Sequence, residues 1–201
     1  MGAKLILSRR LVLRPGTDED TADEFAARIG MLRHADIPGN EEEGVPRQVV
    51  WHADSGPALH YREDVFSGLP YVVVTAEGAL ELDELVELAE IVLGTWRIPW
   101  LWQAVDANGD ADDLPEAILR MGLGAPKEFN EEIFSRVRDA LRNEREDVCE
   151  AALLATTYQP WDQYVDLIRD LLRKGLSEPL EDTAQIILEE FENPAPAATA
   201  R

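Results

Sequence analysis

The chain has 201 residues, 45% of them hydrophobic, which is enough for one large or two small domains with a real core. Forty Asp and Glu stand against nineteen Lys and Arg, leaving a formal charge of -21 at pH 7. That surplus repels nucleic-acid phosphates and anionic lipid head groups, so the expected partner is a protein, basic in character, with neither nucleic acid nor membrane bound. The same charge also serves as a solvated surface that keeps a crowded protein in solution.

At the N-terminus Lys4 precedes only three apolar residues, Leu5 to Leu7, before Arg9 and Arg10. Nowhere does an uncharged apolar run approach about 18 residues, so neither a signal peptide nor a membrane span is expected. The segment Leu5–Arg14 reads as one partly exposed strand, closed by Pro15 and Gly16. Thr17 and Asp18 can cap a helix carrying Phe25, Ile29 and Leu32 on one face and ending at Pro38-Gly39. The run Glu41–Glu43 is then a solvated loop.

Two β-like runs, Gln48–Ala53 and Ala58–Glu63, flank the turn-rich Asp54-Ser55-Gly56-Pro57 and predict a hairpin. The register implied by that turn pairs Ala53 with Ala58 and sets His52 and His60 on opposite faces, which makes them poor partners for one metal ion. A third run, Leu69–Thr75, holds the all-apolar Tyr71-Val72-Val73-Val74, as a central strand covered on both faces requires. From Leu82 the period becomes helical through Leu85, Leu88, Ala89 and Val92, ending near Gly94.

Trp96, Trp100 and Trp102 follow within seven residues, and either fill a domain junction or face a partner. The polar stretch Asp106–Asp112 alternates oxygen side chains as a calcium loop does. However, Ala111 stands where Gly is needed and Ala117 where a closing Glu is needed, so it reads as a capping loop. Helices are expected over Leu114–Leu123, Glu131–Arg142, Asp147–Tyr158, Trp161–Lys174 and Glu181–Phe191, before a Pro/Ala-rich disordered tail at 193–201. Arg138, Arg142 and Arg145 fall on one helical line that can grip an acidic partner or pair with nearby acids such as Glu146. Cys149 is the only cysteine, which excludes an intrachain disulfide and a multi-thiolate zinc site and fits a reducing, cytoplasmic setting.

Within this helical half, Asp113-Leu-Pro-Glu-Ala-Ile-Leu, closing at Pro126, is repeated as Asp147-Val-Cys-Glu-Ala-Ala-Leu, closing at Pro160, at an offset of 34 residues. Val137-Arg-Asp-Ala-Leu is echoed by Ile168-Arg-Asp-Leu-Leu at an offset of 31. Two helices per unit, each with an apolar face that a neighbouring unit covers, are the pattern of an α-solenoid. The passage Ile133–Tyr158 resembles a HEAT-type repeat. The resemblance implies an outer helix followed by a small-residue inner helix, with the stacked inner helices forming a protein-binding surface. Separately, Arg10-Leu-Val-Leu-Arg-Pro15 with Asp20 and Phe25 is similar to the opening of the GNAT acetyltransferases, which implies an acyl-CoA-dependent enzyme. The spaced glycines that family uses for acetyl-CoA are out of register here, in Arg120-Met-Gly-Leu-Gly-Ala125.

The expectation is an α+β fold, with a strand-rich region (1–94) packed on a C-terminal HEAT-like helical array (95–192). No catalytic, cofactor-binding or metal-binding residues emerge from motif reading. The expected function is protein binding, as an immunity or antitoxin-like protein covering a basic toxin. An assembly adaptor or scaffold is the alternative within the same class, and the acetyltransferase-like enzyme is the rival outside it.

Overall fold

A computed structural model describes residues 5–40, 44–54, 56–109 and 111–193. Lys4, Glu41–Glu43, Ser55, Asp110 and the tail at 194–201 lie outside the described residues. The class is α+β, with, among the described residues, a six-stranded antiparallel sheet and two helices in the first half and six helices in the second. The chain divides into two compact units, residues 1–100 and 101–201.

The N-terminal segment enters the sheet as two short strands, β1 (Ile6–Leu7) and β2 (Leu11–Val12), both paired with β6 (Pro70–Ala76). The register slips by one residue between them, and Ser8 bridges the break. Its amide donates to the Val74 carbonyl and its Oγ accepts from the Val74 amide, at 2.9 and 3.0 Å. Helix α1 (Glu19–Arg28) begins where Asp18 accepts the Thr21 amide at 3.0 Å. It ends in a Schellman turn at Gly30 (φ 76°), with Gly30 and Met31 donating to Ala27 and Ala26.

The helix therefore stops well short of Pro38. The stretch expected to continue it is instead the edge strand β3 (Leu32–Ile37), and Leu32 is exposed. Its composition, Leu-Arg-His-Ala-Asp-Ile, has too little apolar alternation to announce a strand. Pairing with β4 (Gln48–His52) supplies what propensity does not.

β4 and β5 (Ala58–Glu63) form the expected hairpin, but His52 rather than Ala53 pairs with Ala58. A slip of one residue reverses every face, so His52 and His60 share a side of the sheet instead of lying on opposite sides. The Tyr71–Val74 run is central, with β6 lying between β5 and the β1/β2 edge. One face carries Val49, Trp51, Leu59, Tyr61, Val72 and Val74, which pack with Phe25 and Ala26 of α1 and Ala89 of α2 (Ala79–Val92) into a single core. At that core Trp51 Nε1 donates to Asp23 at 2.6 Å. Arg33 and Arg47 share Glu19 and Asp36, tying the start of α1 to β3 and to the approach to β4.

The passage from Trp96 to Asp113, where no helix is drawn from the sequence, contains α3 (Ile98–Asn108). Asp106 sits in its last turn and pairs with Arg136 at 2.7 Å, so it is not part of a capping loop. The remaining helices are α4 (Leu114–Leu123), α5 (Glu131–Ala140), α6 (Glu146–Tyr158), α7 (Gln163–Lys174) and α8 (Glu178–Glu192). In this unit α4 packs on α6, α6 on α8, α5 on α6 and α7 on α8. α4 and α6 touch at their backbones, where a Cβ added to Gly122 would stand 2.7 Å from the Ala155 Cβ.

Candidate functional site

The two candidate surfaces from the sequence are the tryptophan segment and the arginine line. After α2, Gly94 at φ 64° turns the chain, and Thr95 bridges back to Leu13. The Trp96 amide donates to the Val12 carbonyl at 2.8 Å. This fixes Trp96 against the sheet edge, and the first turn of α3 then presents Trp100. The guanidinium of Arg14 lies 5.8 Å from the Trp96 ring and 5.7 Å from that of Trp100, and Arg97 stands 5.5 Å from Trp100 on the same ring. The result is a cation–π stack with Trp100 at its open end, 41% exposed.

Trp102 is partly buried and its side chain has no ring contact or hydrogen bond among the described residues, so only two of the three tryptophans form the cluster. Arg14 is a member that sequence reading did not single out, because it lies more than eighty residues from its partners. Nearby, Arg9 donates to Glu90 at 2.7 Å and to the Trp96 carbonyl at 3.2 Å, joining α2 to the tryptophan segment. Burial lowers the pKa of this arginine, and Glu90 opposes the shift.

The arginine line does not form on one helix. α5 ends at Ala140, so Arg138 is helical while Arg142 and Arg145 lie in the connection to α6. Arg138 pairs with Asp139 at 3.1 Å. Arg145 pairs with Asp147 at 2.7 Å, rather than with Glu146, and donates to the Ala111 carbonyl at 3.0 Å. The Arg145 guanidinium holds the Asp147 carboxyl below its ordinary range. Arg138 lines an open groove of about 540 Å³ floored by Val105, Leu114, Ile118 and Val148, and Arg142 lines another of about 440 Å³ beside Cys149 and Leu180. Arg138 and Arg145 are thus engaged by the chain's own acids, which weakens them as grips for an acidic partner.

Gln48 Nε2 donates to His60 Nδ1 at 3.2 Å, His60 Nε2 lies 3.4 Å from Thr75 Oγ1, and the His34 and His52 rings lie 5.9 Å apart. All three histidines of the chain belong to the same three-strand region, β3 to β5. Among the described residues no group of three or more His, Cys, Asp or Glu is placed to hold a metal ion. Burial and the neighbouring Arg62 and His52 lower the pKa of His60 to about 4, so its ring is neutral near pH 7. The glycines of Arg120–Ala125 lie at the end of α4, with Gly122 buried against Ala155. Gly122 serves helix packing there, and Gly124 is the C-cap of α4.

Two hydrogen bonds frame α4 and α6. Before the helices, Arg145 donates to Ala111, and after them Trp161 Nε1 donates to the Lys127 carbonyl at 3.1 Å. Both join residues 34 apart, so the two helices run parallel and in step. Trp161 also stacks on Tyr164 and meets Phe129 edge-on, at ring separations of 5.5 and 5.4 Å. Comparison with protein-family models, curated proteins and solved structures found no match for this chain. No helix among the described residues is long and apolar enough to cross a membrane.

Proposed function

We propose that the chain is a stoichiometric protein-binding module that captures a basic partner. The observation that carries this reading is the charge of -21 on a folded chain whose arginines are largely paired with its own acids. Carboxylate in excess is what projects to solvent, and an excess of one sign speeds and orients the approach of the opposite sign.

The helical unit supports the same reading. A sequence echo at 34 residues and two hydrogen bonds at the same spacing are what translation of one helix pair onto the next demands. The packing of α4 on α6 and of α6 on α8 supports reading these three as the inner row of a HEAT-like array. Such rows commonly serve as protein-binding surfaces.

In its most concrete form the module is an immunity or antitoxin-like protein covering a cationic toxin in the cytoplasm. The adaptor or scaffold version uses the same surface without inhibiting its partner. An activity assay of the recovered partner separates the two. The test of the shared reading is recovery of a basic protein at low salt, followed by stopped-flow association over a salt series. Exposed charges are screened within about 8 Å at physiological ionic strength. The association rate is therefore expected to fall by about tenfold or more with salt while dissociation changes little. Association indifferent to salt removes the basis for capture by charge. A thermal shift with acetyl-CoA, in the absence of any basic partner, points instead to the acetyltransferase-like enzyme.

A further inference from the structure

Helix α2 settles one side on the sheet core, where Ala89 is buried and Leu82, Leu85 and Val86 pack partly buried beside it. A helix fully satisfied by that contact is polar over the rest of its surface. α2 is not. Leu80, Leu88, Ile91 and Val92 are all exposed, Leu80 at 74% and Ile91 at 61%. At about 100° per residue, Leu80 and Ile91 fall on one line three turns apart, on the side opposite Ala89. Glu84 and Glu87 lie between them on that line, and Glu81 and Asp83 flank it, all exposed. The helix contains no Lys or Arg, and only its Glu90 has an ion pair among the described residues, with Arg9.

A partner that brings apolar side chains and positive charge together complements both features of this face at once. We propose that the outer face of α2 is the docking surface for a cationic amphipathic segment of the partner protein. Its apolar side chains seat on Leu80, Leu88 and Ile91, and its lysines or arginines reach Glu84 and Glu87. This rests on the reading of the chain as a binder of basic proteins, and it locates the contact. A second copy of the chain is a poor occupant, because pairing α2 with itself sets carboxylates against carboxylates. An anionic bilayer meets the same repulsion.

The probe is a synthetic amphipathic helix of leucine and lysine, titrated calorimetrically into the full chain beside an oligolysine of equal charge. Wild type is expected to bind the leucine–lysine peptide more tightly than oligolysine. Leu80→Ser combined with Ile91→Ser should weaken the first by about tenfold or more and the second by less than about twofold. Glu84→Gln with Glu87→Gln should weaken both and flatten their salt dependence. The four residues are exposed, so an unchanged melting curve verifies that each variant is folded. If the leucine–lysine peptide binds the serine variant as tightly as wild type, the α2 surface is overturned while the basic-partner reading stands. If wild type binds neither peptide at low salt, the basic-partner reading fails and takes the α2 surface with it. A wild-type dimer in sedimentation that the serine variant dissolves makes a second copy the occupant, and also overturns the proposal.

Discussion

The two units solve the same problem, burying apolar surface, with contacts of different range. In residues 1–100 the sheet joins segments as distant as Ile6 and Ala76, and the core exists only once strand registers are set. In residues 101–201 helices α4 to α8 pack on helices one or two places away along the chain, and the bonds framing α4 and α6 share a single spacing of 34 residues. The helices of the second unit follow local periodicity, whereas the sheet, beyond the β4–β5 hairpin that its turn announces, depends on pairings between distant segments. The candidate surfaces follow the same division. The Arg14–Trp96–Trp100 stack is assembled by long-range pairing, and the outer face of α2 is left over from the packing of one helix.

The largest expected effect is on the sheet core. Trp51→Ala removes a side chain 1% exposed and its bond to Asp23, and should cost about 3–5 kcal/mol in urea denaturation, with hydrogen exchange rising along β4 to β6. A loss under about 1 kcal/mol would mean that this face is not the core of the unit. In the helical unit the sensitive point is the backbone contact of α4 with α6. Gly122→Leu should cost about 3 kcal/mol, with Ala151→Leu or Ala152→Leu on the buried side of α6 at about 1–3 kcal/mol. Ala155→Gly should relieve part of the damage done by Gly122→Ala. Additive effects in that double-mutant cycle would contradict the contact.

A smaller effect separates the units by pH. His60 is held neutral, with its pKa lowered from 6.5 to about 4, so its contribution is whole above pH 6.5 and is lost as pH falls toward 4. Allowing for solvent at this part-exposed site, the loss is on the order of 1–2 kcal/mol. His60→Gln should flatten the melting temperature of wild type between pH 6.5 and 4, and an unaltered profile would place the acid sensitivity elsewhere. The smallest effect concerns the tryptophan stack, where an Arg14→Ala, Trp100→Ala cycle should show coupling of about 0.5–1 kcal/mol. Zero coupling would leave Trp100 as a side chain independent of the stack.

Much of the helical unit was legible before any coordinates. The span of α4 is the one expected, and α6 differs by one residue at its start, because an apolar stripe with Asp, Pro and Gly punctuation repeats every turn and needs no distant partner to be recognised. The 34-residue echo, read as a pattern of letters, reappears as the spacing of two hydrogen bonds. α3 escaped notice because Trp96 to Val105 carries apolar residues on several sides, and the polar letters around Asp106 suggested a loop. The arginine line failed because α5 ends two residues before Arg142, a matter of helix termination that spacing does not resolve.

By itself the sequence determined the charge, the α+β class, the central place of Tyr71–Val74 and the helices α4 to α8, since each depends on composition or on a local period. Only the tertiary structure decided that Leu32–Ile37 is a strand, because an edge strand draws its stability from a neighbour's backbone rather than from its own side chains. It alone placed Arg14 between two tryptophans and left Leu80 and Ile91 in water. It also set His52 and His60 on one side of the sheet, where a one-residue difference in register, invisible to the turn sequence, reverses the face of every side chain in the strand.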